Sequence, residues 1–280
     1  MLRILLIGKG AREHALAWKL ALSPSVEHVY VVPGNGGTES SASSPSKISN
    51  LAQPADGYAG YVRLAREYDA GLVVVGPDDE VVGGLEGYFR EAGIPCFAPS
   101  KEAAIVEGSK AFSKDFMKRH GIPTAESETF TSHADALAYV TSPSAPPPHR
   151  LVIKADGLAA GKGVILPQTR HEAEAALADM MLGAKFGAAG DSVVIEEFLD
   201  GDEISILTFS DGVTFKSLPP GQDHKRALDG HQGPNTGGMG VYCPTPFVSE
   251  ADLRLIDERI LKPTFDGLKA EGEFSGLEGW

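Results

Sequence analysis

Two lysines eight positions apart bracket a run of small residues, Lys154-Ala155-Asp156-Gly157-Leu158-Ala159-Ala160-Gly161-Lys162-Gly163-Val164. Bare backbone N–H groups can close on anionic oxygens while the flanking ammonium groups supply charge, so the natural ligand is a polyphosphate. The run is not a P-loop. That loop needs a glycine where Asp156 stands and a Ser or Thr where Gly163 stands, and it opens a helix. Here a strand at Gly163–Leu166 follows, so the small residues are expected to cap a β-hairpin as a lid. A flexible glycine turn with solvated lysines is the competing reading.

Further on, Glu196-Glu197-Phe198-Leu199 ends an apolar run and leads into Asp200-Gly201-Asp202-Glu203. A nucleotide needs backbone groups for the adenine edge, apolar faces around it and a carboxylate for the ribose hydroxyls. This segment offers all three, although acidic strand ends are more often simply solvated. Gln222-Asp223-His224-Lys225-Arg226 and Asn235-Thr236-Gly237-Gly238-Met239-Gly240 fall in one Gly- and Pro-rich stretch, Pro219–Gly240. Such a stretch is usually functional or disordered; mixed charge followed by a glycine cradle favours a ligand site.

Gly8-Lys9-Gly10-Ala11-Arg12-Glu13-His14 follows one strand and opens a helix, yet it fails as a dinucleotide fingerprint. Glu13 takes the third glycine position, and the next strand ends in Val32-Pro33-Gly34 without a ribose-binding acid. A dehydrogenase is thereby nearly excluded. The turn still favours an anion such as a substrate phosphate, with Arg12 as its cation; a structural ion pair of Arg12 is the alternative.

Apolar strands at Leu2–Ile7, His28–Val32, Leu72–Val75 and Ile94–Ala98 alternate with helical patterns at Ala11–Leu22 and Val81–Ala92. That order predicts a parallel sheet covered on both faces, with ligands at the carboxyl ends of its strands. A helical pattern over Lys101–Gly121 follows, closed by Gly121 and Pro123. Then come a helix at Ala134–Tyr139, a proline-rich surface insertion at Ser142–His149, and strands at Leu151–Lys154 and Gly163–Leu166. A helix at His171–Leu182 and strands at Val193–Phe198 and Glu203–Phe209 complete an α+β module with an antiparallel sheet. A last helix spans Glu250–Glu271.

A net charge of -13 without any Lys/Arg run argues against nucleic acid as a main partner. Cys96 and Cys243 are far apart, which fits a reducing compartment and no disulfide framework. The Leu2–Ile7 run is too short for a signal peptide or a membrane span. The expectation is a soluble, cytoplasmic protein with no membrane partner.

Taken together, these segments resemble the phosphoribosylamine–glycine ligase family of the ATP-grasp superfamily. The resemblance rests on Gly8–His14 with Ala15–Leu20, Pro33–Thr38, Val75–Pro77, Glu107–Phe112, Lys154–Gly163, Glu196–Leu199, Gln222–Arg226 and Gly233–Gly240, in that order. The fold expected is α/β: an N-terminal parallel-sheet (pre-ATP-grasp) domain followed by an incomplete α+β ATP-grasp region. Its domains would be a substrate domain over 1–100, a helical connection over 101–122, a lid module over 123–200 and a partial core over 201–280.

The activity implied is ATP-dependent ligation of glycine to 5-phosphoribosylamine through glycyl phosphate. By that similarity Lys110 and Lys154 contact phosphates, and Ala159, Ala160, Gly161, Lys162 and Gly163 cover them. Glu196, Glu197, Phe198, Leu199 and Glu203 hold adenosine. Gly10, Arg12, Asn35, Gly76, Pro77, Asp78 and Gly237 bind substrate, while Asp223, Lys225, Asn235 and Thr236 surround the reacting groups. Mg²⁺ or Mn²⁺ is implied, with its usual protein ligands beyond Trp280. Because Glu273–Trp280 departs from the family's pattern, the chain alone is expected to turn over poorly, its native form being longer or part of a multifunctional purine-synthesis polypeptide. A different ATP-grasp carboxylate–amine ligase, and a non-catalytic fragment that binds ligand or a full-length partner, are the alternatives.

Overall fold

The computed structural model describes residues 1–39, 47–158, 163–183, 187–230 and 232–271. The chain forms two compact units, one over 1–104 with 209–215 and the other over 105–208 with 216–272. No helix among the described residues is long and apolar enough to cross a membrane.

The first unit is built on β1 (Leu2–Gly8), α1 (Ala11–Ala21), β2 (Val26–Pro33), β3 (Ile48–Asn50), α2 (Tyr58–Glu67), β4 (Leu72–Val75), α3 (Asp78–Val82), α4 (Leu85–Glu91) and β5 (Cys96–Phe97). Its sheet has the order β3-β2-β1-β4-β5, with every pairing parallel. Alternation along β1 explains the layers. Ile4 and Leu6 pack with Ala17 and Ala21 of α1 on one face. Leu5 and Ile7 pack with Tyr61 and Ala65 of α2 and Leu85 and Phe89 of α4 on the other. Both faces of β1 are therefore dry, as its uninterrupted apolar run demands. The register pairs Gly8 with Pro33 and Ile7 with Val75, which brings three strand ends level.

The expected helix over Val81–Ala92 is interrupted. Gly83-Gly84 divides it into α3 and α4, and Gly84 sits at φ +85°, a left-handed conformation that ends a helix. Two elements of this unit are not among those expected, α2 and the three-residue β3.

The second unit begins with α5 (Ile105–Gly108) and α6 (Lys110–Arg119), one helical pattern split by Ser109, whose hydroxyl caps α6 by accepting from the Phe112 N–H. Next come β6 (Ser127–Phe130), α7 (His133–Thr141), β7 (Leu151–Ala155), β8 (Val164–Ile165), α8 (Arg170–Met181) and β9 (Val193–Glu197). They form an antiparallel sheet of order β6-β9-β7-β8. Leu151, Ile153, Ala155, Val193 and Ile195 pack against Ala136 and Val140 of α7 and Ala173, Leu177 and Met180 of α8. The intervening residues, Lys154 and Glu196 among them, project from the opposite face.

The strand expected over Glu203–Phe209 is reduced to β10 (Thr208–Ser210), preceded by a single bridge from Ser205 to Gly221. An alternating pattern makes a strand only where a neighbour offers a ladder, and among the described residues the partners are Phe215–Ser217, the Leu218 N–H on the Leu207 carbonyl and that bridge. After β11 (Phe215–Ser217), the described residues of the stretch Pro219–Gly240 include short paired strands rather than a bare loop. It contains β12 (Gln222–Asp223), β13 (Arg226–Leu228) and β14 (Gln232–Asn235), with β12 paired to β15 (Val241–Tyr242) and β13 to β14. The last helix is α9 (Glu250–Ile256), a π-turn over Asp257–Leu261, and α10 (Lys262–Ala270). Pro263 lacks an N–H for the regular ladder, and the wider turn directly before it accommodates that loss.

Candidate active site

In the first unit, the ends of β1 and β4 converge on the Glu13 carboxylate. Glu13 lies on the first turn of α1 and is only 3% exposed. Its Oε2 accepts from the Gly10 N–H at 2.7 Å, and its Oε1 accepts from Arg12 Nε at 2.8 Å. A Cβ on Gly8 would lie 2.3 Å from Glu13 Cγ, and one on Gly76 2.3 Å from Glu13 Oε1. Gly8 and Gly76 thus leave room for a side chain of the protein itself. Arg12 also reaches Asp78 at 3.2 Å, so in this structure it holds the ion pair that was the alternative to a ligand contact. Pro77 precedes α3, and the Gly76 N–H donates to the Ile7 carbonyl.

Asn35 organises the neighbouring turn. Its amide donates to the Lys9 carbonyl at 2.9 Å, and its side-chain oxygen accepts from the Gly37 N–H at 2.8 Å. Thr38, fully buried, donates to Asn50 Oδ1 at 2.8 Å, and Asn50 in turn donates to the Asn35 carbonyl at 2.9 Å. Gly10, Arg12, Asn35, Gly76, Pro77 and Asp78 are therefore gathered at one set of strand ends, the position where open parallel sheets bind ligands.

In the second unit, β7 and β8 form the expected hairpin, closed by the Ala155 N–H donating to the Gly163 carbonyl at 2.8 Å. Ala159, Ala160, Gly161 and Lys162 lie outside the described residues. At the root of the hairpin, Asp156 ties three elements together. It accepts from Ser109 Oγ (3.1 Å) and the Ala111 N–H (3.1 Å) of the α6 start, from the Gly157 N–H (2.9 Å), and from Ser192 Oγ (3.0 Å). Burial acts to raise its pKa, but these donors overcome that and hold the carboxyl below its ordinary value. Lys110 donates to the Gly157 carbonyl at 2.6 Å. Burial lowers its pKa, against the pull of Asp156 and Glu107.

The register of β7 against β9 sets Lys154 diagonally across from Glu196 on one face, and the two are ion-paired. Glu196 is buried, and Lys114 approaches its other oxygen at 2.6 Å. Glu197 points the opposite way and accepts from the Glu126 N–H at 3.0 Å, while the Phe198 N–H donates to the Arg150 carbonyl.

A cavity of about 600 Å³ is lined by Phe198, Leu199, Glu203, Asp223, Lys225 and Asn235. Inside it Lys225 is ion-paired with Glu203 and lies 3.9 Å from Asp223. Thr236 donates both its N–H (2.6 Å) and its hydroxyl (2.9 Å) to the Lys225 carbonyl, and its hydroxyl accepts from the Gly238 N–H, which fixes the turn containing Gly237. Residues from two distant motifs thereby meet around one concavity.

Residues 2–107 match the family described as Phosphoribosylglycinamide synthetase, N domain, and residues 108–277 match its ATP-grasp (A) domain. The chain belongs to the phosphoribosylglycinamide synthetase family. It is 53% identical over 268 residues to the bifunctional purine biosynthetic protein ADE1 of Schizosaccharomyces pombe, covering 96% of this chain and 33% of that protein. It is 52% identical to the phosphoribosylamine–glycine ligase of Allochromatium vinosum, covering 97% of this chain and 61% of the relative. The crystal structure of Thermotoga maritima phosphoribosylamine–glycine ligase superposes with a TM-score of 0.79 at 32% identity, over 97% of this chain and 62% of the other. The chain thus spans between a third and three fifths of these relatives' lengths. The ATP-grasp architecture and the parallel-sheet first unit expected from the sequence are both present.

Three residues of this family member went unrecognised in the sequence. The sequence marks Glu13 only as a break in a glycine motif and Asp156 only as a mismatch to a P-loop, and it does not single out Lys114. For Lys114 a signal existed: it stands four residues after Lys110, which places both ammonium groups on one face of α6.

Proposed function

We propose that the protein joins glycine to 5-phosphoribosylamine at the expense of ATP, giving glycinamide ribonucleotide, ADP and phosphate. A glycine carboxylate oxygen attacks the γ-phosphorus and ADP leaves. The amine of phosphoribosylamine then attacks the acyl carbon, phosphate leaves, and the nitrogen loses a proton. The phosphoryl step needs alignment and charge neutralisation more than covalent help.

In this reading Lys110 and Lys154 bind the ATP phosphates under the lid that ends at Gly163. Glu196, Glu197, Phe198, Leu199 and Glu203 hold the adenosine. Gly10, Arg12, Asn35 and Gly76–Asp78 bind phosphoribosylamine, with Arg12 exchanging Asp78 for the substrate phosphate. Asp223, Lys225, Asn235, Thr236 and Gly237 surround the reacting carboxylate. The family's divalent cation would neutralise the polyphosphate. Among the described residues no group of three or more His, Cys, Asp or Glu side chains could hold a metal ion.

The observation that carries this reading is the pairing of Lys154 with Glu196 beside a small-residue hairpin, in a chain of this family. The test is ADP release by the protein as its gene expresses it, with Mg-ATP and phosphoribosylamine made in situ. ADP and glycinamide ribonucleotide should form one-to-one and only with glycine present. ATP turnover indifferent to glycine would contradict the proposal.

A further inference from the structure

We propose that Lys114 is a positioning residue for the nucleotide: it neutralises Glu196 so that Lys154 can leave that carboxylate for a phosphate. The inference rests on the reading above that Lys154 meets ATP.

Glu196 is 6% exposed and carries a cation on each oxygen, Lys154 on Oε1 and Lys114 on Oε2. The two lysines are not equivalent. Lys114 is 12% exposed, and besides Glu196 it donates to Thr124 Oγ1 at 2.8 Å and to the Ala125 carbonyl at 3.1 Å. Those two bonds spend two of its three donors and anchor the ammonium group within the protein, beside Glu196. Its approach to Oε2 is a charge contact rather than an aligned hydrogen bond. Lys154 is 29% exposed and has Glu196 as its ion-pair partner among the described residues.

A triphosphate competing for Lys154 must draw it from Glu196. If Lys154 were the sole counter-ion, its departure would strand a buried carboxylate, which is strongly unfavourable. With Lys114 locked on the second oxygen, Glu196 stays neutralised and Lys154 moves at low cost. Lys114 therefore acts on ATP through Glu196 and needs no contact with the ligand.

The prediction is a specific non-additivity, read as the Kd of Mg-ATP by calorimetry on the full chain. Lys114→Met should weaken binding about tenfold, because Glu196 now holds Lys154 tightly. Made on top of Glu196→Gln, the same substitution should change affinity by less than about twofold, since no carboxylate is left to neutralise. Thr124→Val, which loosens Lys114 without removing it, should weaken binding about threefold in the unaltered protein and not in Glu196→Gln. That milder pair carries the test if Lys114→Met does not fold. Equal losses in both backgrounds, or no loss in either, would overturn the inference while leaving the nucleotide reading intact. Failure of the unaltered protein to bind ATP would overturn both.

Discussion

The two units gather charge in opposite ways. At the strand ends of the first unit, the cradle left by Gly8, Gly10 and Gly76 is filled by Glu13, a side chain of the unit itself, and Arg12 is paired on both sides. In the second unit, the hairpin's Lys154 shares a buried carboxylate with a second, better-anchored lysine. A glycine-rich turn after a strand therefore does not by itself mark an open anion site. What distinguishes the second unit is a cation whose partner stays neutralised when the cation moves.

Gly8→Ala tests that contrast most severely. The new methyl would stand 2.3 Å from Glu13 Cγ in a residue at φ +134°. The expected loss is about 3 kcal/mol of first-unit stability in chemical denaturation, with ATP affinity unchanged. Lys154→Met should do the reverse: ATP binding weakens by about 30-fold, or about 2 kcal/mol, while the melting temperature barely moves because Lys114 remains on Glu196.

Asp156→Asn should cost about 1 kcal/mol at neutral pH. Asp156 titrates below its unfolded value, so its contribution is complete above about pH 4 and disappears as pH falls through the lower folded value. The variant should accordingly flatten the acid limb of the stability curve, measured by thermal unfolding between neutral pH and pH 3. The smallest effect is expected at Asp56, half exposed and 3.0 Å from Arg63. Asp56→Asn should change stability by no more than about 0.5 kcal/mol, which makes it the control for charge removal at a solvated pair.

The fold was legible where burial is symmetrical or alternates cleanly. The apolar runs of β1, β2 and β4 could only be strands covered on both faces, and the small residues between Lys154 and Val164 could only turn a hairpin. Two of the missed elements lacked such patterns. β6 reads Ser127-Glu128-Thr129-Phe130 at a sheet edge, and β3 has a single fully buried residue, Ile48. In α2 the buried Tyr61 and Ala65 do show helical spacing, and that helix was there to be read. At the sites, residue types were legible but pairings were not. Sequence places Lys154 and Glu196 forty-two positions apart, and only the β7–β9 register sets them on one face. Likewise Glu13 gave no sign that its side chain would pack against Gly8, Gly10 and Gly76.

Amide hydrogen exchange with and without Mg-ATP tests the central claim most directly. Slowed exchange in peptides spanning 154–166, with no change in the peptide spanning 8–14, is the outcome this account predicts. Slowing confined to 8–14, with the hairpin unaffected by ATP, would contradict it.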